Sequence, residues 1–368
     1  MGLRDTAQGL YNGTVSYNFV GNRKRWYIIS GVILTVTMAA LVLRPLNMGI
    51  EFRGGAEFQV PVSQCTIEEG RTVTQGVIGG TAPIVTQLGD GQLRIQTEEV
   101  TPAQGDQITK ALGSACQVTA VDIKIQLIGP TWGADVSKKA LQGLIVFLIL
   151  VSIFLAVYFE WRMAVAALIA LAHDLIITIG VYALVGFEVT PATAIGVLTI
   201  LGFSLYDTVV VFDKVKENTR GILGQSRQTY SEAANLAVNQ TLVRSINTSI
   251  VALLPVGAIL FVGAGLLGAG TLKDLALALF VGMAAGAYSS ICVATPILVQ
   301  MKNREPEVQA LERRVMSRRK KPDADADIGD GIDGEPVGAA TNPLATRTVA
   351  ESGVRNQPKR QPRSQRKS

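Results

Sequence analysis

Six stretches of this 368-residue chain run for about twenty residues with scarcely a charge among them, which constrains the fold more than any other feature. They are Trp26–Leu43, Ala140–Phe159, Met163–Gly186, Ala192–Phe212, Ser249–Leu267 and Leu275–Met301. Each is long enough, as a helix, to cross a hydrocarbon core of about 30 Å. Hydrophobic residues make up 48% of the chain and charged residues 17%, too apolar a balance for an ordinary soluble enzyme. The first stretch is not a cleaved leader, because its apolar core is long and no small-residue cleavage pattern follows it.

Lysine and arginine give an orientation. Arg23, Lys24 and Arg25 stand just before the first stretch and predict a cytoplasmic N-terminus, 1–25. Six crossings then return the C-terminus, 302–368, to the same side. The connection 213–248 carries Lys214, Lys216, Arg220, Arg227 and Arg244 and falls inside, whereas 187–191 carries none and falls outside. Lys138 and Lys139 depart from the rule, but they follow a long translocated segment, where it has little force. The tail from Lys302 accounts for the whole net charge of +5, so no nucleic-acid-binding core is implied. A tail near anionic headgroups or ribosomal RNA fits better.

Between crossings 1 (26–43) and 2 lies a folded domain, 44–138, with the other crossings in 139–301. Thr66-Ile67-Glu68-Glu69 and Thr101-Pro102-Ala103-Gln104 are capping boxes that open helices. Strand-like runs flank them at Ala56–Val62, Pro83–Gln87, Leu93–Thr97 and Val121–Leu127, with Gly89-Asp90-Gly91 as a tight hairpin. The order β-α-β-β-α-β predicts a ferredoxin-like α+β sandwich outside the membrane. The fold class is thus an α-helical polytopic membrane protein with one such domain. Cys65 precedes the first helix and Cys116 follows the second, so both fall at one end of the sandwich. They form either a bridge or two separately buried thiols. Cys292 is a packing residue of the sixth crossing. The connection 213–248 is expected to lie as an amphipathic helix on the inner surface. A charged helix is expected near 302–321 and disorder from Pro322 onward.

Ionisable groups in the crossings are the sharpest chemical signal, since a charge at the bilayer centre costs about 2.5–3.5 kcal/mol on insertion scales. His173 and Asp174 sit near the middle of the third crossing, Asp207 in the fourth, and Arg244 at the inner start of the fifth. They are candidates for a proton-coupling cluster. The competing reading is a neutralising ion pair that lets the bundle pack, or, for His173, a satisfied core histidine.

Other patterns lack context. Gly263-Ala264-Gly265-Leu266-Leu267-Gly268 matches a dinucleotide fingerprint in letters only, with no preceding strand. Gly282-Met283-Ala284-Ala285-Gly286 is a helix-packing device. Asp323-Ala324-Asp325-Ala326-Asp327 lacks the glycine and the bidentate glutamate of a calcium loop. No nucleophile–base arrangement or metal-ligand spacing is present. The chain is therefore expected not to be an enzyme, and neither a cofactor nor a metal is expected.

Several segments together resemble the SecF side of the SecD/SecF protein-export family, part of the resistance-nodulation-division superfamily. They are Gly49-Ile50-Glu51-Phe52-Arg53-Gly54-Gly55-Ala56, Gly129-Pro130-Thr131, Ala172-His173-Asp174, Ser204 through Asn218 (with Asp207, Asp213 and Glu217), and Asn239-Gln240-Thr241-Leu242-Val243-Arg244-Ser245. The resemblance covers about residues 20–301. It implies a plasma-membrane half-unit that pairs with SecD and assists the SecYEG channel and the SecA motor. Such a unit would use the proton gradient to complete translocation of an unfolded polypeptide, among membrane lipids and without nucleic acid. The family's intramembrane acid falls on Asp207 and its arginine on Arg244. One departure is Tyr206 before the acid, where the family usually has Asn. The alternative is a proton-coupled exporter of small molecules or lipids from the same superfamily, although such chains usually carry two large outside domains. A purely structural assembly factor for the translocon is a third possibility.

Overall fold

Among the described residues, six helices are long and apolar enough to cross a membrane: Arg23–Leu43, Thr131–Tyr158, Trp161–Val185, Pro191–Gly224, Tyr230–Gly263 and Lys273–Lys302, here spans 1 to 6. The structure is a computed structural model and describes residue 9 and residues 16–61, 65–88, 91–263 and 270–320. The end of the first strand at Val62, the Gly89-Asp90 turn, residues 264–268 of the glycine pattern and the acidic tail repeat lie outside them.

Local rules set the helix ends. The span 2 helix starts at Pro130, directly after Gly129. A proline in the first turn forfeits no helical hydrogen bond, so the chain enters the helix without a break. Residues 130–138, read from the sequence as the end of the domain, are thus the first turns of span 2.

Span 4 keeps its helix through Asn218, and span 5 starts at Tyr230. Thr229 caps that start, accepting a bond from the Glu232 amide and donating its own amide to the Glu232 carboxylate. The expected separate helix lying flat over 213–248 therefore does not exist. That segment is the two span ends and a short turn. Nothing between Tyr230 and Pro255 interrupts a helix, and Ala233, Ala234 and Ala237 are small enough for it to bury itself in the bundle.

Proline shapes two spans. Pro255, without an N–H, precedes a π-helical turn at Ala258–Gly263 in span 5, and Pro296 follows one at Ser290–Ala294 in span 6. Gly282 and Gly286 let span 6 lie against span 4. A Cβ on Gly286 would sit 2.8 Å from Ser204 Cβ, and one on Gly282 would sit 2.0 Å from Ile200 Cδ1.

The charged segment after span 6 folds as the helix Pro306–Lys320. Its Val308, Leu311 and Val315 are buried in the core formed by the nearby span ends, and Arg319 donates two hydrogen bonds to Glu232. Leu311→Ala should lower stability by about 2–5 kcal/mol, the range for emptying a leucine site. Thermal unfolding in detergent checks this against Met316→Ala, an exposed position on the same helix. Equal melting points for the two variants would show that the helix is not docked.

Between spans 1 and 2 stands the sandwich. Its strands are β2 (Gly55–Pro61), β3 (Ile84–Gln87), β4 (Gln92–Thr97) and β5 (Lys124–Ile128), and its helices are Ile67–Ile78 and Pro102–Ala115. Both helices open on the expected capping boxes. The sheet order is β3-β4-β2-β5, every neighbour antiparallel, as in a split βαβ sandwich. Phe58 pairs Ile95 and Val60 pairs Leu93, so their side chains share the helix-facing side with Val85 and Ile108. Cys65 and Cys116 are joined, with Cα atoms 4.6 Å apart. A second, two-stranded pairing was not readable from the sequence. β1 (Asn47–Met48), just after span 1, runs parallel to β6 (Glu188–Val189), between spans 3 and 4.

Candidate functional site

The four candidate ionisable residues do not form one cluster. Two buried carboxylates stand on neighbouring spans, each held by serines. Asp207, on span 4, accepts hydrogen bonds from Ser245 of span 5 (2.7 Å) and from Ser290 of span 6. Asp174, on span 3, accepts from Ser204 of span 4 (2.5 Å) and Ser289 of span 6 (2.7 Å). Its other oxygen lies 3.0 Å from His173 Nδ1. Both acids are almost completely buried, at 4% and 2% exposure. Ser289 and Ser290 are adjacent, so one turn of span 6 reaches both acids.

His173 is buried, and its Nε2 has no partner among the described residues. Its ring stacks near Tyr288, with centroids 6.2 Å apart. Tyr288 in turn shares a hydrogen bond with Ser30 and donates to the Trp26 carbonyl on span 1.

Arg244 does not touch Asp207, so the competing reading of a neutralising ion pair between them is not what the structure shows. The arginine is exposed, and it donates to the Tyr206 hydroxyl (3.3 Å) rather than to Asp207. Successive residues of a helix point about 100° apart. With Ser245 turned inward to Asp207, Arg244 must face away from the bundle. Tyr206, the departure from the family pattern, is the residue that receives it.

The remaining motif residues serve elsewhere. Asn239 binds both the amide and the carbonyl of Tyr17, pinning the segment before span 1. Gln240 accepts from Asn218 (3.0 Å), tying the end of span 4 to span 5. Thr241 donates to the carbonyls of its own helix. Asp213 is exposed, and Glu217 pairs with Lys214 at 2.8 Å. On the sandwich face, Gly49 opens a single helical turn, Ile50–Arg53, that carries Phe52 and ends at Gly54. Gly54 and Gly55 take positive φ of 81° and 142°, and a Cβ on Gly55 would lie 2.4 Å from the Thr97 carbonyl oxygen. These glycines set the joint between span 1 and β2.

Sequence reasoning missed the serines. The available signal was a pair of adjacent hydroxyls, Ser289-Ser290, in an otherwise apolar span. It also missed a polar network at the sandwich joint. Arg94 of β4 reaches Glu57 of β2 at 2.7 Å and Glu188 of β6 at 2.9 Å, and Gln96 donates to Glu188 at 2.8 Å. Glu51 stands beside them. Burial, and then the nearby Glu188 and Glu57 charges, push its carboxyl above the usual range. The folded state therefore holds the Glu51 proton more tightly than the unfolded chain does. The stability this gives is present below the ordinary carboxylate range and is lost as pH rises through the raised value. Glu51→Gln should flatten that decline. Melting curves between pH 5 and pH 8 test it, and identical slopes for the two proteins would contradict it.

Six apolar helices with hydroxyl-held acids among them and a sandwich domain between the first two define a multi-pass membrane protein. The family described as protein export membrane protein SecD/SecF, C-terminal, matches residues 107–304, and the SecD/SecF GG motif matches residues 39–64. Protein translocase subunit SecF of Streptomyces coelicolor is 51% identical over 350 residues, covering 95% of this chain and 93% of that one. The SecF subunit of Mycobacterium tuberculosis is 42% identical, covering 93% of this chain and 80% of the relative. The crystal structure of SecDF from Thermus thermophilus, a translocon-associated membrane protein, superposes with a TM-score of 0.69 at 29% identity. That superposition takes in 79% of this chain and 39% of the SecDF chain, so this chain spans about two-fifths of it. The chain belongs to the SecD/SecF family of protein-export membrane proteins. As a member it is an accessory membrane subunit of the Sec translocase.

Proposed function

We propose that the chain is the smaller half of a SecD–SecF pair in the plasma membrane. The pair draws on the proton gradient to help SecYEG and SecA complete the export of unfolded polypeptides. Both termini lie in the cytoplasm, and the sandwich lies on the outer side. One observation carries this reading: Asp207 is buried in the bundle with hydroxyl partners and, among the described residues, no ion pair. A carboxylate so placed can take up a proton without stranding a cation, which a neutralising pair cannot do. A second observation supports the partner. Arg244 of span 5 and Tyr206 of span 4 are exposed, as are Ile246, Ile250, Val251 and Leu254 of span 5. A polar group of a second membrane half would cover this arginine and the apolar side chains beside it.

The test is export into inverted membrane vesicles containing SecYEG, SecA and SecD, with and without this chain, at a fixed ATP supply. The expected result is a gain in completed translocation that needs both this chain and an imposed proton gradient. A gain that persists when the gradient is collapsed would leave only an assembly role.

A further inference from the structure

We infer that Ser289 and Ser290, neighbours at the π-helical turn of span 6, are rotating hydrogen-bond switches that let Asp174 and Asp207 change protonation state inside the bundle. This inference rests on the proton-coupled reading above and specifies how its site works.

A buried carboxyl needs different partners in its two protonation states. Ionised, it accepts hydrogen bonds and requires donors; protonated, it carries an O–H that requires an acceptor. A site built for one state leaves an unsatisfied group in the other, at a cost that would block cycling. A serine hydroxyl can serve both states only if its own proton has somewhere else to go.

Ser289 and Ser290 have that second place. Ser289 Oγ lies 2.7 Å from Asp174 Oδ2 and 3.3 Å from the Gly286 carbonyl oxygen. Ser290 Oγ is bonded to Asp207 Oδ2 and lies 3.2 Å from the Ala287 carbonyl oxygen. Ser204 and Ser245 also reach the acids, but among the described residues each donates to its carboxylate alone. With Asp207 ionised, Ser290 donates to it. When a proton arrives from water on the carboxylate, the new O–H donates to Ser290 Oγ, and the serine proton turns to the Ala287 carbonyl. Ser289 does the same between Asp174 and Gly286. No covalent serine O–H bond breaks: the Ser→Asp hydrogen bond is exchanged for one to the carbonyl, and each proton taken up stays on the carboxyl until it leaves to water.

The two switches are neighbours on span 6. The Thr295 hydroxyl donates to the Ser290 carbonyl across this turn. Ser289 directly precedes the turn Ser290–Ala294, so both acids are reached from adjacent residues of one helix. His173 is the titratable group against Asp174, with Tyr288 stacked on its far side, while Arg244 and Tyr206, next to Ser245 and Asp207 in sequence, are exposed and bonded to each other. Cys292 lies further along span 6.

The experiment uses the chain with SecD in membranes and reads the position of a pH profile. Ser290→Ala removes one donor from the ionised acid. The midpoint of gradient-dependent export should therefore move up by about one to two pH units, while Ser290→Thr should restore it. A merely structural serine predicts loss at every pH with no shift, which would overturn the inference. A second measurement needs no export at all: infrared titration of the carboxyl band that disappears in Asp207→Asn. Its midpoint should shift upward in Ser290→Ala, or in Ser290→Cys should the alanine variant not assemble. An unmoved band midpoint overturns the switch even where export is gradient-dependent. Absence of any gradient dependence in the unaltered protein overturns the functional reading instead, and the infrared midpoint still decides the switch.

Discussion

Asp207→Asn is expected to abolish the gradient-dependent component of export while the protein still assembles. Asparagine keeps the size of the side chain and can accept from Ser245 or Ser290, but it cannot carry a proton. The fold should tolerate it, because no cation is left unpaired: Arg244 is engaged with Tyr206 and not with Asp207. The geometry thus separates two accounts that the sequence left open. A packing ion pair would make Asp207→Asn unstable and would let a paired Arg244→Leu change rescue export. Serine-held acid makes the single variant stable and inactive, and gives Arg244→Leu no power to rescue it. Export into sealed vesicles with and without an imposed gradient is the measurement. Full gradient dependence in Asp207→Asn would falsify the assignment of Asp207 as the coupling acid.

Removing the sandwich disulfide should have the largest effect on stability. Cys65 and Cys116 are separated by 51 residues, and their bond closes nearly the whole domain apart from its first and last strands. In the chain-entropy account a loop of that length stabilises by roughly 4 kcal/mol. Paired Cys65→Ala and Cys116→Ala replacements should unfold the sandwich at lower temperature while leaving the spans in place. Thiol labelling of the native protein should find neither residue free, and Cys292 should label only on denaturation, being buried. Ready labelling of Cys65 and Cys116 in native membranes would show that the bridge does not form there.

The parts of the fold that could be read in advance are those fixed by local chemistry. Runs of apolar residues announce the spans, and Thr66 with Glu69 and Thr101 with Gln104 announce helix starts. The alternation of Phe58, Val60, Leu93 and Ile95 announces the buried face of a sheet. What escaped depends on distant parts of the chain. The β1–β6 pairing joins two residues before the sandwich to two that follow span 3. The serine partners of Asp174 and Asp207 come from spans 4, 5 and 6 and meet the acids only in the packed bundle, so the adjacent pair Ser289-Ser290 was the one signal in the sequence. The direction of Arg244 is not legible in the sequence, because its angle around the helix depends on Ser245 facing inward.

Span 2 has a mechanical consequence. Its helix is 29 residues of unbroken backbone, a rod about 44 Å long. At one end, Gly129 is the single residue between it and β5 at the edge of the sandwich. At the other, the Lys216 ammonium of span 4 lies 5.3 Å from the Tyr158 ring, and Phe159 meets Phe212 edge-on. Along its length Ile145, Val146, Ile149 and Ile153 are uncovered, so few neighbours resist its tilting. Swung by about 10° about the span 4 end, a rod of that length carries its tip some 7–8 Å sideways. A displacement small enough to start with one carboxyl and one hydroxyl could thus arrive at the sandwich as a stroke the width of several atoms.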